Sequence, residues 1–161
     1  MHCEMTKKSG FTLIEALVVI GIIAILALLA IPSQINRFNQ KRIAETIELA
    51  ETFKQPIQQF YQLNGKFPVD NAAAGMPDAD KILGNYLEGL DVIDGVMNLK
   101  LGNKLTRFAG QTVSIYPVFV AGSPASPISW VCGRGVTPEG MTAAGKNKTS
   151  ININNLPLSC R

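Results

Sequence analysis

The residue types that carry most enzyme chemistry are scarce in this chain. Among 161 residues there is one histidine, His2, and there are three cysteines, Cys3, Cys132 and Cys160. A lone imidazole at the extreme N-terminus supplies no Ser-His or Cys-His pair and no histidine set for zinc. The most chemically loaded position is Glu15, the one ionisable residue in the run FTLIEALVVIGIIAILALLAI from Phe11 to Ile31. An ionisable group in such a setting costs roughly 3 kcal/mol on membrane-insertion scales and persists where it has a partner.

The element that positions Glu15 is a helix long enough to span a bilayer. At ~1.5 Å rise per residue, positions 11–31 cover about 30 Å, the thickness of the hydrocarbon core. Lys7 and Lys8 stand just before the run, and no comparable basic cluster follows until Lys41 and Arg42. The positive-inside rule then keeps the N-terminus cytoplasmic and places the chain after Ile31 outside. A cleaved secretory signal fits poorly, because its apolar core is usually about 7–15 residues long and ends in an A-x-A-like site. Here the run closes on Ala30-Ile31-Pro32-Ser33, and no lipid-modifiable cysteine follows it.

Read together, Lys7-Lys8-Ser9-Gly10-Phe11-Thr12-Leu13-Ile14-Glu15 resembles the class III signal of type IV prepilins. The resemblance implies cleavage by a prepilin peptidase after Gly10 and methylation of the new amine on Phe11. It also implies that Glu15 pairs with that amine on a neighbouring subunit, so that two charges costly alone in lipid become acceptable together. Removal of the leader would leave Cys132 and Cys160, an even pair outside the membrane that suggests a disulfide. A closed loop of about 29 residues would contribute roughly 3.5 kcal/mol in the chain-entropy picture. Ile128-Ser129-Trp130-Val131-Cys132 and Leu156-Pro157-Leu158-Ser159-Cys160-Arg161 resemble the strand and the ending that bound the disulfide loop of type IVa pilins.

Past Ile31 the pattern becomes amphipathic. Ile43, Ile47, Ala50, Ile57 and Phe60 recur at helical spacing, with Phe53 and Tyr61 near the same face and Lys41, Arg42, Glu45, Glu48 and Glu51 between them. Pro32 and Pro56 predict kinks, Pro32 and Gly21 are expected to weaken the helix locally, and Asn64-Gly65 predicts its stop. Residues 65–95 read as a connecting loop with a short helix near Asp80–Leu87. Val96–Leu101, Thr112–Phe119 and Ile128–Cys132 read as strands, with a fourth near Ser150–Ile153. The expected fold class is α+β, a long N-terminal helix on an antiparallel sheet, as in type IV pilins. The expected organisation is a leader (1–10), a membrane and polymerisation helix (11–31), an amphipathic half (32–64), the loop (65–95) and the sheet with its C-terminal loop (96–161).

Several smaller signals carry less. Asp78, Asp80, Asp91 and Asp94 match no calcium-loop spacing and read as a solvated acidic loop, so no metal and no cofactor are expected. Asn147-Lys148-Thr149 is a glycosylation sequon by pattern alone. Gly133-Arg134-Gly135 is too short for a phosphate cradle and reads as a turn. Residues 66–94 hold two basic and six acidic side chains, whereas residues 95–161 hold seven basic and one acidic. Opposite patches on one protomer suit heterologous packing into a filament. The basic half, with Lys100, Lys104, Arg107, Lys146 and Lys148, would equally suit contact with DNA phosphates.

The family resemblance implies a structural filament subunit and no enzyme. Its partners would be other pilin subunits, the peptidase, the inner-membrane assembly machinery, the membrane and, for an uptake receptor, DNA. Adhesion, twitching motility and DNA uptake are the functions such filaments serve. The chain departs from typical major pilins in carrying Gln34 and Arg37 where they have tyrosines, and Gly21 where their span glycine falls at the position of Ala24. A minor pilin and a type II secretion pseudopilin are the alternatives, and the Cys132/Cys160 frame argues against the second.

Overall fold

The computed structural model describes residues 10–161, apart from the side chains of residues 29–34. Lys7, Lys8 and Ser9 of the leader, and the side chain of Pro32, therefore lie outside the described residues. The chain falls into two compact units, one up to Ile35 and one from Asn36 to Arg161.

The first unit is helical. Helix α1 runs Leu13–Ala50, and both Gly21 and Pro32 stand within its span. Up to Leu28 its apolar side chains point outward on every side: Leu13, Ile14, Leu17, Ile20, Ile23, Leu26 and Leu28 are all exposed. A helix apolar all round has no inner face on which to build a core of its own. Among the described residues no helix is long and apolar enough to cross a membrane.

In the second unit the later part of α1 carries Ile43 and Ala50 into a core, both with no exposure. A 3-10 turn at Glu51–Phe53 interrupts the helix before α2, Lys54–Asn64. Pro56 explains the place of the break, because it has no N–H to continue the ladder back to Thr52. Helix α2 buries Ile57 and Tyr61 and ends at Gly65, which is left-handed at φ 69° and donates to the Tyr61 carbonyl at 2.8 Å. Tyr61 rather than Phe60 is the buried aromatic, and its ring stacks on Phe67 with centroids 4.3 Å apart.

The sheet is antiparallel, with β1 (Leu87–Ile93), β2 (Val96–Leu101), β3 (Thr112–Phe119) and β4 (Ser129–Cys132) in that order. A short β5 (Thr142–Ala143) pairs with Val118 and Phe119 of β3. Leu90, Val92, Met97, Leu99 and Ile115 pack with Ala50 and Ile57 in one cluster. Ile43 joins Leu101, Leu105, Phe108, Val113, Ile151 and Leu156 in another.

Three expectations are corrected by the structure. The helix expected near Asp80–Leu87 is only a 3-10 turn at Ala79–Lys81, and residues 87–93, assigned to the loop, form strand β1. A register shift between Leu87 and Gly89 breaks the alternation of apolar residues that marks a strand. Gly89 allows the close approach there, since a Cβ would lie 2.8 Å from the Ala79 carbonyl oxygen. The fourth strand expected near Ser150–Ile153 is absent as a strand. Instead Ser150 exchanges two hydrogen bonds with Thr112, and a 3-10 turn follows at Ile153–Asn155.

Candidate assembly and maturation site

Gly10 and Phe11 precede α1 and are exposed, Phe11 to 79%. Thr12 caps the helix and Glu15 closes its first turn. The Thr12 N–H and hydroxyl both donate to Glu15 Oε2, at 3.0 and 2.8 Å, and the Glu15 N–H donates to Thr12 Oγ1 at 3.3 Å. This is a capping box, in which side chains at both ends of the first turn satisfy amide groups the helix itself leaves unpaired. Thr12 is thus a site residue that a reading centred on charge overlooks, although Thr-x-x-Glu ahead of an apolar run is its sequence signature. The cap uses one oxygen of Glu15, and a carboxylate offers about four acceptor directions. Glu15 can therefore hold its own helix start and accept from a further cation.

At the other end of the chain Cys132 and Cys160 are joined in a disulfide with Cα atoms 4.5 Å apart. Gly133 follows with φ 62°, and a Cβ there would sit 2.5 Å from the Cys160 carbonyl oxygen. The expected turn at Gly133-Arg134-Gly135 is present: the Arg134 N–H donates to the Cys160 carbonyl and the Gly135 N–H to the Cys132 carbonyl. The sequon asparagine is occupied by the fold. Asn147 donates to the Gly133 carbonyl and accepts from the Thr149 N–H at 2.9 Å, while Thr149 Oγ1 accepts from the Ser114 N–H at 3.0 Å. Ser114 is fully buried and also bonds Asn98 Oδ1 and the Lys148 N–H. This network ties the disulfide-bounded segment across one face of β2 and β3.

The five basic residues singled out by charge are only partly brought together. Lys100 lies on β2 opposite Thr112, and Lys148 is held through its backbone to Ser114. Side chains two apart on a strand share a face, so Lys100 and Ser114 lie on the same side of the sheet, with Lys146 and Lys148 carried on the segment that crosses it. Lys100 pairs with Glu88 at 3.2 Å, and Lys104 donates to Asn85 Oδ1 at 3.4 Å. Lys104 and Arg107 belong to the connection between β2 and β3. Asp78, Asp80, Asp91 and Asp94 are not gathered, and among the described residues no group of three potential ligands is placed to hold a metal ion.

An apolar helix with one carboxylate in its first turn, together with a disulfide-closed α+β head, defines a subunit built to polymerise. The chain belongs to the pilin family: residues 42–161 match Pilin (bacterial filament), and residues 5–31 match the prokaryotic N-terminal methylation motif. It is 34% identical to the type IV major pilin protein PilE1 of Neisseria gonorrhoeae, over 97% of this chain and 88% of that protein. It is 31% identical to a fimbrial protein of Neisseria meningitidis serogroup B, over 97% of this chain and 95% of that protein. It is 30% identical to the fimbrial protein EcpC of Eikenella corrodens, over 87% and 92% of the two chains. The chain has the type IV pilin fold and is a structural subunit of a pilus, a filament on the cell surface.

Proposed function

We propose that the chain is made as a precursor held in the inner membrane by residues 11–31, with its N-terminus cytoplasmic. A prepilin peptidase hydrolyses the Gly10–Phe11 bond, the Phe11 amine is methylated, and inner-membrane machinery assembles the product into a homopolymeric type IV pilus. Glu15 pairs with the Phe11 amine of the neighbouring subunit and sets the register. The role is structural throughout and needs no cofactor.

The observation that carries this reading is the first unit itself, whose Leu, Ile and Val side chains are exposed around the whole helix behind a single capped carboxylate. Such a surface is stable in lipid or against copies of itself, and close helix packing supplies the drive to exchange the first for the second. Loosening at Gly21 and Pro32 would let that packing adjust. A DNA-contact role draws on Lys100, Lys146 and Lys148 sharing one side of the sheet, and is weakened by the engagement of Lys100 and Lys104 within the chain.

The test is mass spectrometry of filaments sheared from cells and freed of membranes. An abundant chain beginning at methylated Phe11 is expected. A chain that keeps residues 1–10, or that stays with the membranes, would overturn the proposal.

A further inference from the structure

The side of α1 that faces away from the core between Arg37 and Glu48 has a segregated charge pattern. At 3.6 residues per turn Arg37, Lys41, Glu45 and Glu48 fall within a sector of roughly 80°, and Asn39, Ile43, Thr46 and Ala50 fall on the opposite side. Burial follows this division, with the first four exposed and the second four buried. Along the exposed stripe the order is basic, basic, acidic, acidic. Among the described residues Arg37, Lys41 and Glu48 take part in no ion pair, and Glu45 accepts only from Asn85 Nδ2, at 3.0 Å. Arg42 lies off the stripe, over the Tyr86 ring at 5.6 Å.

Two such helices set side by side in equal register would oppose like charge with like charge. A parallel shift of about seven residues, roughly 10–12 Å at 1.5 Å per residue, puts Lys41 of one copy beside Glu48 of the next and Arg37 beside Glu45. An antiparallel arrangement also matches the charges, but it closes on itself as a two-fold dimer, whereas the parallel shifted contact leaves a free half-site on each copy and extends. We propose that this stripe is a subunit contact in which the Arg37/Lys41 turn of one copy docks on the Glu45/Glu48 turn of a second, parallel copy displaced by about seven residues. Phe38, 60% exposed, lies beside the stripe and adds apolar area to the contact. The proposal rests on the pilus-subunit reading and adds a register to it.

A charge swap in the full-length chain expressed in cells tests it. Lys41→Glu and Glu48→Lys are each expected to lower sheared-filament yield about tenfold or more, and the double variant K41E/E48K is expected to restore it. Positions 41 and 48 lie about 10.5 Å apart along one helix, and Lys41 and Glu48 form no ion pair with each other within the chain, so restoration reports a contact between copies. Unchanged yield in both single variants, or no restoration in the double, would overturn the register. If wild-type chain is absent from filaments, the function itself fails instead.

Cysteine cross-linking separates the two arrangements. Lys41→Cys with Glu48→Cys is expected to give an extending ladder of covalent multimers in sheared filaments, because the intrachain distance exceeds the ~7 Å a disulfide can bridge. Glu48→Cys alone is expected to give none. Closed dimers from Arg37→Cys with Glu48→Cys, and no ladder from the 41/48 pair, would overturn the parallel contact in favour of the antiparallel one. Peptide mapping that finds Cys132–Cys160 intact, and melting unchanged from wild type, confirm that the variants fold.

Discussion

The helix over residues 13–28 and the helical stretch over residues 43–61 are both rich in aliphatic side chains, yet their fates differ. In the first, Leu13, Leu17, Ile20 and Ile23 are more than half exposed; in the second, Ile43, Ala50 and Ile57 have no exposure and Tyr61 very little. The apolar residues of the second stretch recur at steps of seven, seven and four, so they share one face that a sheet can cover. Those of the first stretch surround the helix, and no single partner surface in the same chain can cover them all. One region is thus finished by folding and the other by its surroundings.

Glu15→Val is the sharpest break in this comparison. Filament yield is expected to fall to background while the melting of the full chain in detergent stays that of wild type, because among the described residues the Glu15 side chain hydrogen-bonds only to Thr12, within its own helix turn. Wild-type filament yield, counted by electron microscopy and by blotting of the sheared fraction, would remove Glu15 from the assembly mechanism. Replacing both Cys132 and Cys160 by serine acts on the other region, with an expected loss of about 3 kcal/mol in denaturant melts. A loss below 1 kcal/mol would mean that the network through Asn147 and Thr149 already holds the C-terminal segment.

Leu99→Ala and Val18→Ala form a matched pair. Leu99 is fully buried in the core and should cost about 3 kcal/mol, whereas Val18, 56% exposed, should leave the melt unchanged and lower only assembly. Equal destabilisation by the two would show that residues 13–28 find cover within their own chain. Asn147→Ala should cost about 1–2 kcal/mol, since it leaves the Gly133 carbonyl only the long 3.5 Å contact from Thr149 Oγ1 and takes the side-chain acceptor from the Thr149 N–H. In wild-type pili an intact mass equal to residues 11–161 with the Phe11 methyl group and one disulfide, and nothing further, would agree with an asparagine spent on the fold. Thr12→Ala is the smallest effect, about 1 kcal/mol of helix-start stability, visible as a modest drop in yield while Glu15 remains.

Much of the fold is legible in the residues. Strands β2 and β3 fall at Val96–Leu101 and Thr112–Phe119, as alternation and punctuation predict, and β4 begins one residue later than expected, at Ser129. Strand β1 escaped for a physical reason: the bulge at Leu87/Gly89 sets Leu87, Leu90 and Val92 at uneven spacing. The available signal was Asp94-Gly95. Both residues have positive φ, 50° and 81°, and they join the paired Ile93 and Val96 as a two-residue hairpin turn. The sequon at Asn147 is a pattern alone, and a three-residue pattern carries no information about whether the amide is already bonded, as it is here to the Gly133 carbonyl.

What the sequence determined by itself was local and periodic. It placed the apolar helix and its lone carboxylate, the amphipathic continuation, the helix stop at Gly65 and two of the five strands in full, because these follow from neighbours within a few positions. The tertiary structure alone decided that the segment around Asn147 is tied to Gly133 and Ser114, and that Lys100 is held by Glu88. Those contacts join residues 12 to 35 positions apart, where the gain comes from burying polar groups with satisfied hydrogen bonds and closing loops on a packed sheet, and no spacing rule along the chain encodes them.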